Sequence, residues 1–352
     1  MSVKPLMRTA LAAAALTAAL AVAAPVLAAG DGYTVHPLAS DQAGVAPTTD
    51  ADLVNGWGLV AGPTTPWWVS DNGTDKSTLY RADGSKVPLT VGVDGGPTGV
   101  VFNLAGAGFP VAPGAPSRFI FASEDGKIRG WNPAVSPDAQ VTVDRSAEGA
   151  IFKGLTYALT AAGPLLYATD FFNGRVDVFD ADWHPVTTAG GFADPALPAG
   201  YAPFGIQSIG SWIVVTFAKQ SGGADELHGR SLGIVDAFDT EGRLLARVAQ
   251  HGQLDAPWGL AQAPATFGPF GGDLLVGNFG DGQINAYALQ ANGRFEHRGT
   301  LRAADGGKLV IDGLWALEFG HGAPANGPTD TLFFTAGPDD ENHGLFGSIT
   351  AG

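Results

Sequence analysis

The stretch Trp258-Gly259-Leu260-Ala261, then Leu274-Leu275-Val276-Gly277-Asn278, the turn Asp281-Gly282, and Ile284-Asn285-Ala286-Tyr287 decides the fold. Each run is short, apolar or alternating, and bounded by glycine or by a polar turn, which reads as three successive β-strands. Asp-Gly is what a two-residue hairpin requires, because its central residues take positive φ at little cost there. A three-strand unit of this size has two apolar faces and cannot bury them alone. It must stack on copies of itself.

The copies are present. Upstream lie Trp57-Gly58-Leu59-Val60 with Trp67-Trp68-Val69-Ser70-Asp71, Thr98-Gly99-Val100-Val101 with Phe119-Ile120-Phe121-Ala122-Ser123, and Gly154-Leu155-Thr156-Tyr157 with Leu165-Leu166-Tyr167-Ala168-Thr169-Asp170. Phe204-Gly205-Ile206-Gln207 with Trp212-Ile213-Val214-Val215-Thr216, and downstream Gly313-Leu314-Trp315-Ala316 with Leu332-Phe333-Phe334-Thr335, complete six. The leading glycines are placed at 58, 99, 154, 205, 259 and 313, giving spacings of 41, 55, 51, 54 and 54. A period near fifty residues with Asp-Gly or Asn-Gly hairpins predicts an all-β, six-bladed β-propeller with four-stranded blades. Outer strands are expected at Leu244 to Ala249 and Phe295 to Leu301. The sixth copy runs out after its third strand, so Tyr33 to Leu38 is expected to supply the fourth and close the ring. A β-sandwich is the alternative; it explains strands and turns but not the repeat. Pro/Gly loops at Phe109 to Ser117 and Ala323 to Thr329 read as insertions. Trp67 and Trp68 are adjacent in one strand, so one of them is expected to face inward. Trp57, Phe204 and Trp258 are expected to form aromatic walls at the entries of the innermost strands, and Trp57, Trp258 and Trp315 read as wedges between blades rather than as a sugar platform.

Residues 1–28 read as a secretory signal: Lys4 and Arg8 without acids, an apolar run from Leu11 to Leu27, and small residues before a cut after Ala28. A single propeller domain over 29–352 is then expected to be exported, periplasmic or extracellular, with no membrane span after cleavage. Losing Lys4 and Arg8 takes the formal charge from −15 to −17. That surface repels nucleic-acid phosphate and argues against a nucleic-acid partner. With no cysteine, disulfides, thiolate metal sites and cysteine nucleophiles are excluded. The Ala/Gly-rich composition and the signal suggest a bacterial source.

Three longer segments are more specific than a generic blade. They are Leu254 to Leu260, Leu275 to Ala286, and Thr335-Ala336-Gly337-Pro338-Asp339-Asp340-Glu341-Asn342-His343-Gly344-Leu345-Phe346-Gly347. With Ile311 to Leu317 and Thr216 to Gln220, they resemble a family of uncharacterised secreted bacterial proteins over nearly all of the chain after the signal. Some members of that family carry a C-terminal sorting tail, which this chain, ending Ile349-Thr350-Ala351-Gly352, does not show. The resemblance implies a six-bladed propeller of the NHL-like kind and no activity.

In a propeller, the hairpins after the second strands share a face with the starts of the innermost strands, over the central channel. That face is expected to gather Asp71, Asn72, Glu124, Lys153, Asp170, Lys219, Asn278 and Asp312 as ligand-binding candidates. Asp125, Asn173 and Asp281 are read as turn formers. Oxygen ligands suit Ca²⁺ or another divalent cation, with Glu124, Asp170, Asn278 and the like-charged run Asp339-Asp340-Glu341 as candidate ligands. The long loop Lys219 to Ser231 is a candidate lid. No nucleophile elbow, phosphate loop or paired-histidine motif is present. Three functions are open to such a chain. One is a binding module for a small molecule, glycan or extracytoplasmic protein over the channel. Another is a metal-dependent hydrolase or lactonase. The third is a structural or interaction protein of the envelope or matrix.

Overall fold

Residues 32–352 are described by the structure, a computed structural model. The expected signal and its cleavage point after Ala28 lie outside the described residues. Six antiparallel sheets form a β-propeller, and among the described residues the only helical turns are short 3₁₀ segments. From the channel outward, blade 1 runs Gly56–Val60, Trp67–Asp71, Lys76–Tyr80, Lys86–Gly92, and blade 2 runs Pro97–Phe102, Phe119–Ser123, Lys127–Trp131, Gln140–Asp144. Blade 4 runs Tyr201–Ile209, Trp212–Ser221, Ile234–Phe238, Leu244–Gln250, and blade 5 runs Pro257–Gln262, Leu274–Asn278, Ile284–Leu289, Phe295–Thr300.

Blade 3 departs from the four-strand plan. It has Phe152–Thr160, Gly163–Asp170 and Arg175–Phe179, and its outer position is held by an irregular segment tied through Val186 N to Val178 O at 2.8 Å. That segment carries Pro185, Pro195 and Gly190-Gly191, which remove ladder donors and favour turns.

Blade 6 is closed as expected. Leu314–Phe319, Leu332–Ala336 and Leu345–Ala351 are joined on the outside by Tyr33–Ser40, paired from Tyr33 opposite Ala351 to Ser40 opposite Leu345 with one register shift between Pro37 and Ala39. Tyr33, 1% exposed, packs against Phe267 and Phe270 of blade 5, and its hydroxyl donates to Phe267 O at 3.2 Å. The clasp therefore fastens to two blades.

The repeated glycines have a packing cause. A Cβ on Gly58 would lie 2.2 Å from Thr98 O, on Gly205 2.2 Å from Trp258 O, and on Gly259 2.4 Å from Trp315 O. In blades 1 to 5 the innermost strand presses its backbone on that of the next blade, and nothing larger than hydrogen fits between. In blade 6 the matching position is Ala316, directly after Trp315, and not Gly313. Gly313 is a turn residue at φ +63°, packed against Gly337 O.

Trp67 and Trp68 are both buried, against the expectation that only one would face inward. A blade has a neighbour on each face: Trp67 meets Phe333 of blade 6 at 4.7 Å, and Trp68 stacks on Phe119 of blade 2 at 3.8 Å. The core is accordingly a set of apolar layers between blades. Among the described residues, no helix is long and apolar enough to cross a membrane.

Candidate functional site

Every innermost strand shifts register against its second strand near its start, for example between Gly56 and Leu59, Phe152 and Gly154, and Pro257 and Gly259. A bulge re-aims the side chain it carries. The bulge residue of blade 1 is Trp57, of blade 3 Lys153, of blade 4 Phe204, of blade 5 Trp258 and of blade 6 Trp315. Trp57 and Trp315 stack at 3.7 Å, and Phe279 stacks on the far face of the pair, 3.8 Å from Trp315. Trp258 and Phe204 meet Trp315 edge-on at 5.9 and 6.0 Å. These rings close the channel on its axis, so the tryptophans fill the channel instead of wedging between blades.

Above the plug, on the face where the innermost strands begin (the upper face), five blades deliver polar groups. Lys153, 3% exposed, places Nζ 2.6 Å from Glu124 Oε1 and 4.9 Å from the centre of the Trp57 ring. Asn72 Nδ2 donates to Glu124 Oε2 at 3.0 Å. Asn55, at φ 47°, donates to Asn72 Oδ1 at 3.2 Å and to Glu341 Oε2, and accepts from Trp315 Nε1 at 2.8 Å. The plug and the polar layer are thus one bonded network.

The loop after the second strand of blade 4 folds back as a short hairpin, with Glu226 opposite Gln220. It brings in Glu226, whose side chain is 6% exposed, with His228 Nε2 3.8 Å away. The His228 ring lies edge-on to Phe279 at 4.9 Å. Burial works against the Lys153 ammonium, but Glu124, Glu226 and Asp225 outweigh it and hold the group above the usual lysine range. Burial pushes the Glu341 carboxyl up, and repulsion from Glu226 adds to it; Asn55 pulls the other way. Glu226 holds the His228 imidazole above its ordinary value against burial. Three carboxylates around one ammonium leave the mouth with surplus negative charge.

Glu341 reaches this place by an unusual backbone. Asp339, Asp340 and Glu341 have φ of 57°, 51° and 66°, a single left-handed turn closed by Glu341 N on Gly337 O at 3.1 Å. Left-handed backbone costs an L-residue about 1–2 kcal/mol. Hydrogen bonds at both ends hold it: Asp339 N donates to Asp312 Oδ2 at 3.0 Å, and Asp41 accepts from His343 Nδ1 and Gly344 N at 2.7 and 2.9 Å.

Of the residues expected over the channel, Asn72, Glu124, Lys153 and Glu341 come together. Asp71, Asp170 and Asn278 do not join them. Each ends its second strand and is fully buried in its own blade; the next residue is Asn72, Phe171 or Phe279, at the channel. Asp170 accepts from Asn173 Nδ2 at 2.7 Å and pairs with Arg175 at 3.3 Å, while Asn278 donates to Gln253 O at 2.7 Å and Asp281 Oδ1 at 2.9 Å. Asp339 and Asp340 are exposed, and Asp312 braces the left-handed turn. The Lys219 side chain has no hydrogen bond or ion pair among the described residues.

A shared cation was expected on Glu124, Asp170 and Asn278, but these residues do not fit one. Glu124 is held by Lys153 and Asn72, and Asp170 and Asn278 are occupied in their own turns. Among the described residues no group of three or more His, Asp or Glu side chains is placed to hold a metal ion. Asn55, Glu226, His228 and Phe279 were not singled out from the sequence as site residues. The Asn before Gly56-Trp57-Gly58 and the length of the loop after Lys219 were the available signals.

Six stacked blades, an aromatic plug and a polar upper mouth define a six-bladed β-propeller with a candidate ligand site on its axis. Solved structures of similar fold include a streptogramin B lyase (TM-score 0.53, 10% identity, 93% of this chain and 100% of that one). A protein of unknown function from Bacteroides thetaiotaomicron aligns at TM-score 0.58 (11% identity, 91% and 76%). The calcium-binding protein regucalcin from Agrobacterium tumefaciens aligns at TM-score 0.50 (14% identity, 85% and 91%). At such identities the likeness is one of fold alone. No protein-family model matches the chain. The chain belongs to the family of the uncharacterized protein R648 of Acanthamoeba polyphaga mimivirus, with which it is 31% identical over 335 residues, 90% of this chain and 80% of that protein. Uncharacterized protein L690 of the same virus is 32% identical over 339 residues, 90% of this chain and 85% of its own length. These relatives are viral, whereas the sequence suggested a bacterial family.

Proposed function

We propose that this chain is an exported, non-catalytic binding module that takes a small hydroxyl-rich molecule bearing an amine at the upper mouth of its channel. The observation that carries the reading is the set Glu124, Glu226 and Glu341 around the single buried ammonium of Lys153. Carboxylates that repel one another in a half-buried mouth are relieved by an incoming cation. The Asn55 and Asn72 amides supply paired donors and acceptors for hydroxyl groups, and the plug beneath offers an aromatic floor. Among the described residues no nucleophile with an activating base accompanies them, and the candidate metal ligands do not converge, so the hydrolase reading lacks a supporting arrangement. Export rests on the pattern of Met1 to Ala28.

Calorimetry with glucosamine and with glucose tests the reading. Glucosamine is expected to bind more tightly, and Glu341→Gln to narrow the difference. Equal affinity, or no binding of either, would turn attention to a macromolecular partner. Amino-terminal sequencing of protein recovered outside the cytoplasm checks for a chain beginning at Ala29.

A further inference from the structure

The opposite mouth of the channel, where the innermost strands end, holds a second cavity. Two lobes of about 260 and about 350 Å³ adjoin along Gln207, Ser208, Glu318 and His321. Together they approach the size of ordinary small-molecule pockets. The walls are mixed: Leu59, Val100, Phe102 and Tyr157 give one lobe an apolar side and Leu260 and Leu317 do so in the other, with Gln207 and Ser208 as polar groups shared between them. A narrow throat with Gly58, Gly99, Trp258 and Ala316 in its wall leads from Glu318 toward the underside of the aromatic plug. The plug separates this cavity from the Lys153 mouth.

Among the described residues, Glu318 and His321 are the only ionisable side chains in either lobe apart from the Tyr157 phenol. Glu318 Oε1 stands 3.0 Å from His321 Nε2, and His321 Nδ1 faces Gly62 O at 3.4 Å. The Glu318 side chain is 17% exposed, and a carboxylate so withdrawn from water in a strongly acidic protein is costly and seeks a cation. His321 meets one of its oxygens only.

We propose that this lower mouth is a second binding site, selective for a small organic cation: a compact apolar body carrying one primary or secondary amine. The apolar body would fill the lobes between Leu59, Tyr157 and Leu260, and the ammonium would pair with Glu318. Anionic molecules of the same shape are excluded by the same carboxylate and by the overall charge of −15. The proposal is independent of the ligand at the upper mouth.

The test uses cyclohexylamine, cyclohexanol and cyclohexanecarboxylate as probes, with the imidazole signals of His321 followed by NMR in the full chain. Cyclohexylamine is expected to move the His321 signals saturably and to bind about tenfold or more tightly than cyclohexanol, the factor that a charge-assisted bond contributes. Cyclohexanecarboxylate is expected not to bind. Glu318→Gln should abolish the preference for the amine. Ser208→Phe should block all three probes while cutting no hydrogen bond of the Ser208 side chain, which keeps the test open if Glu318→Gln fails to fold. Glu341→Gln at the upper mouth should leave the titration unchanged. Equal binding of amine and alcohol, unshifted His321 signals, or a titration that Glu341→Gln removes would each overturn the proposal.

Discussion

Lys153 Nζ and Glu124 Oε1 meet at 2.6 Å across the boundary between blades 3 and 2. The pair joins two blades, puts a positive charge on the face of Trp57, and leaves Glu226 and Glu341, among the described residues, without a cation of their own within ion-pairing distance except the histidine beside Glu226. Lys153 thus serves as the channel's built-in cation.

Lys153→Met should cost about 3 kcal/mol, the low end for breaking a buried pair, because a third of Glu124 still meets water. Lys153→Met/Glu124→Gln should recover part of that loss, since it leaves no stranded charge. Urea denaturation of the three proteins measures both. A larger loss in the double variant would show that the pair is not the stabilising unit.

Asp340→Gly should raise stability by about 1 kcal/mol. Its backbone is left-handed at φ 51° and its exposed side chain makes no hydrogen bond among the described residues, so glycine removes a steric cost and little else. Asp340→Val should lower stability. Thermal melts of the two variants must diverge in sign.

The His228 imidazole is held above its ordinary value by Glu226, so the folded state favours its protonated form. The stability it contributes is present in full below roughly pH 6.5, the unfolded value, and is lost as pH rises through the raised folded value. The difference in Tm between the parent and His228→Asn should be largest on the acid side and shrink in alkali. A difference that grows with pH would contradict the assignment.

Gly205→Ala should destabilise by about 1–3 kcal/mol or more, because its Cβ would lie 2.2 Å from Trp258 O and a backbone must move. Ala316→Gly, at the matching position of blade 6, should cost about 1 kcal/mol or less. Differential scanning calorimetry ranks the two.

Tyr33→Ala should cost about 3 kcal/mol, as removal of a fully buried aromatic ring does. It should also increase self-association at a given temperature, since a loosened clasp bares the edge of Leu345–Ala351. Light scattering during the melt reads this.

The blades were legible because glycine and Asp-Gly mark them locally. Gly58, Gly99, Gly154, Gly205 and Gly259 are forced by backbone contact with the next blade, and that demand is visible in one residue at a time. Ala316 escaped because it is not a glycine, and Gly313 nearby, a turn residue at positive φ, mimicked the signal. The site was legible by face but not by residue. Asp71, Asp170 and Asn278 lie one position before the channel residues Asn72, Phe171 and Phe279, and a single step along a strand reverses the side chain. Glu341 and Glu226 owe their place to a left-handed turn and a folded-back hairpin, which no local pattern of residue types announces.

The clasp also sets how the ring answers to force. Tyr33 is paired with Ala351, and Gly352 N donates to Gly32 O at 2.8 Å, so both ends of the ladder leave from the same edge of blade 6. Tension applied at residues 32 and 352 would load these hydrogen bonds one after another, as in a zip, and never all at once. The ring should open at low pulling force for all its depth of packing, and blade 6 should be the first to yield.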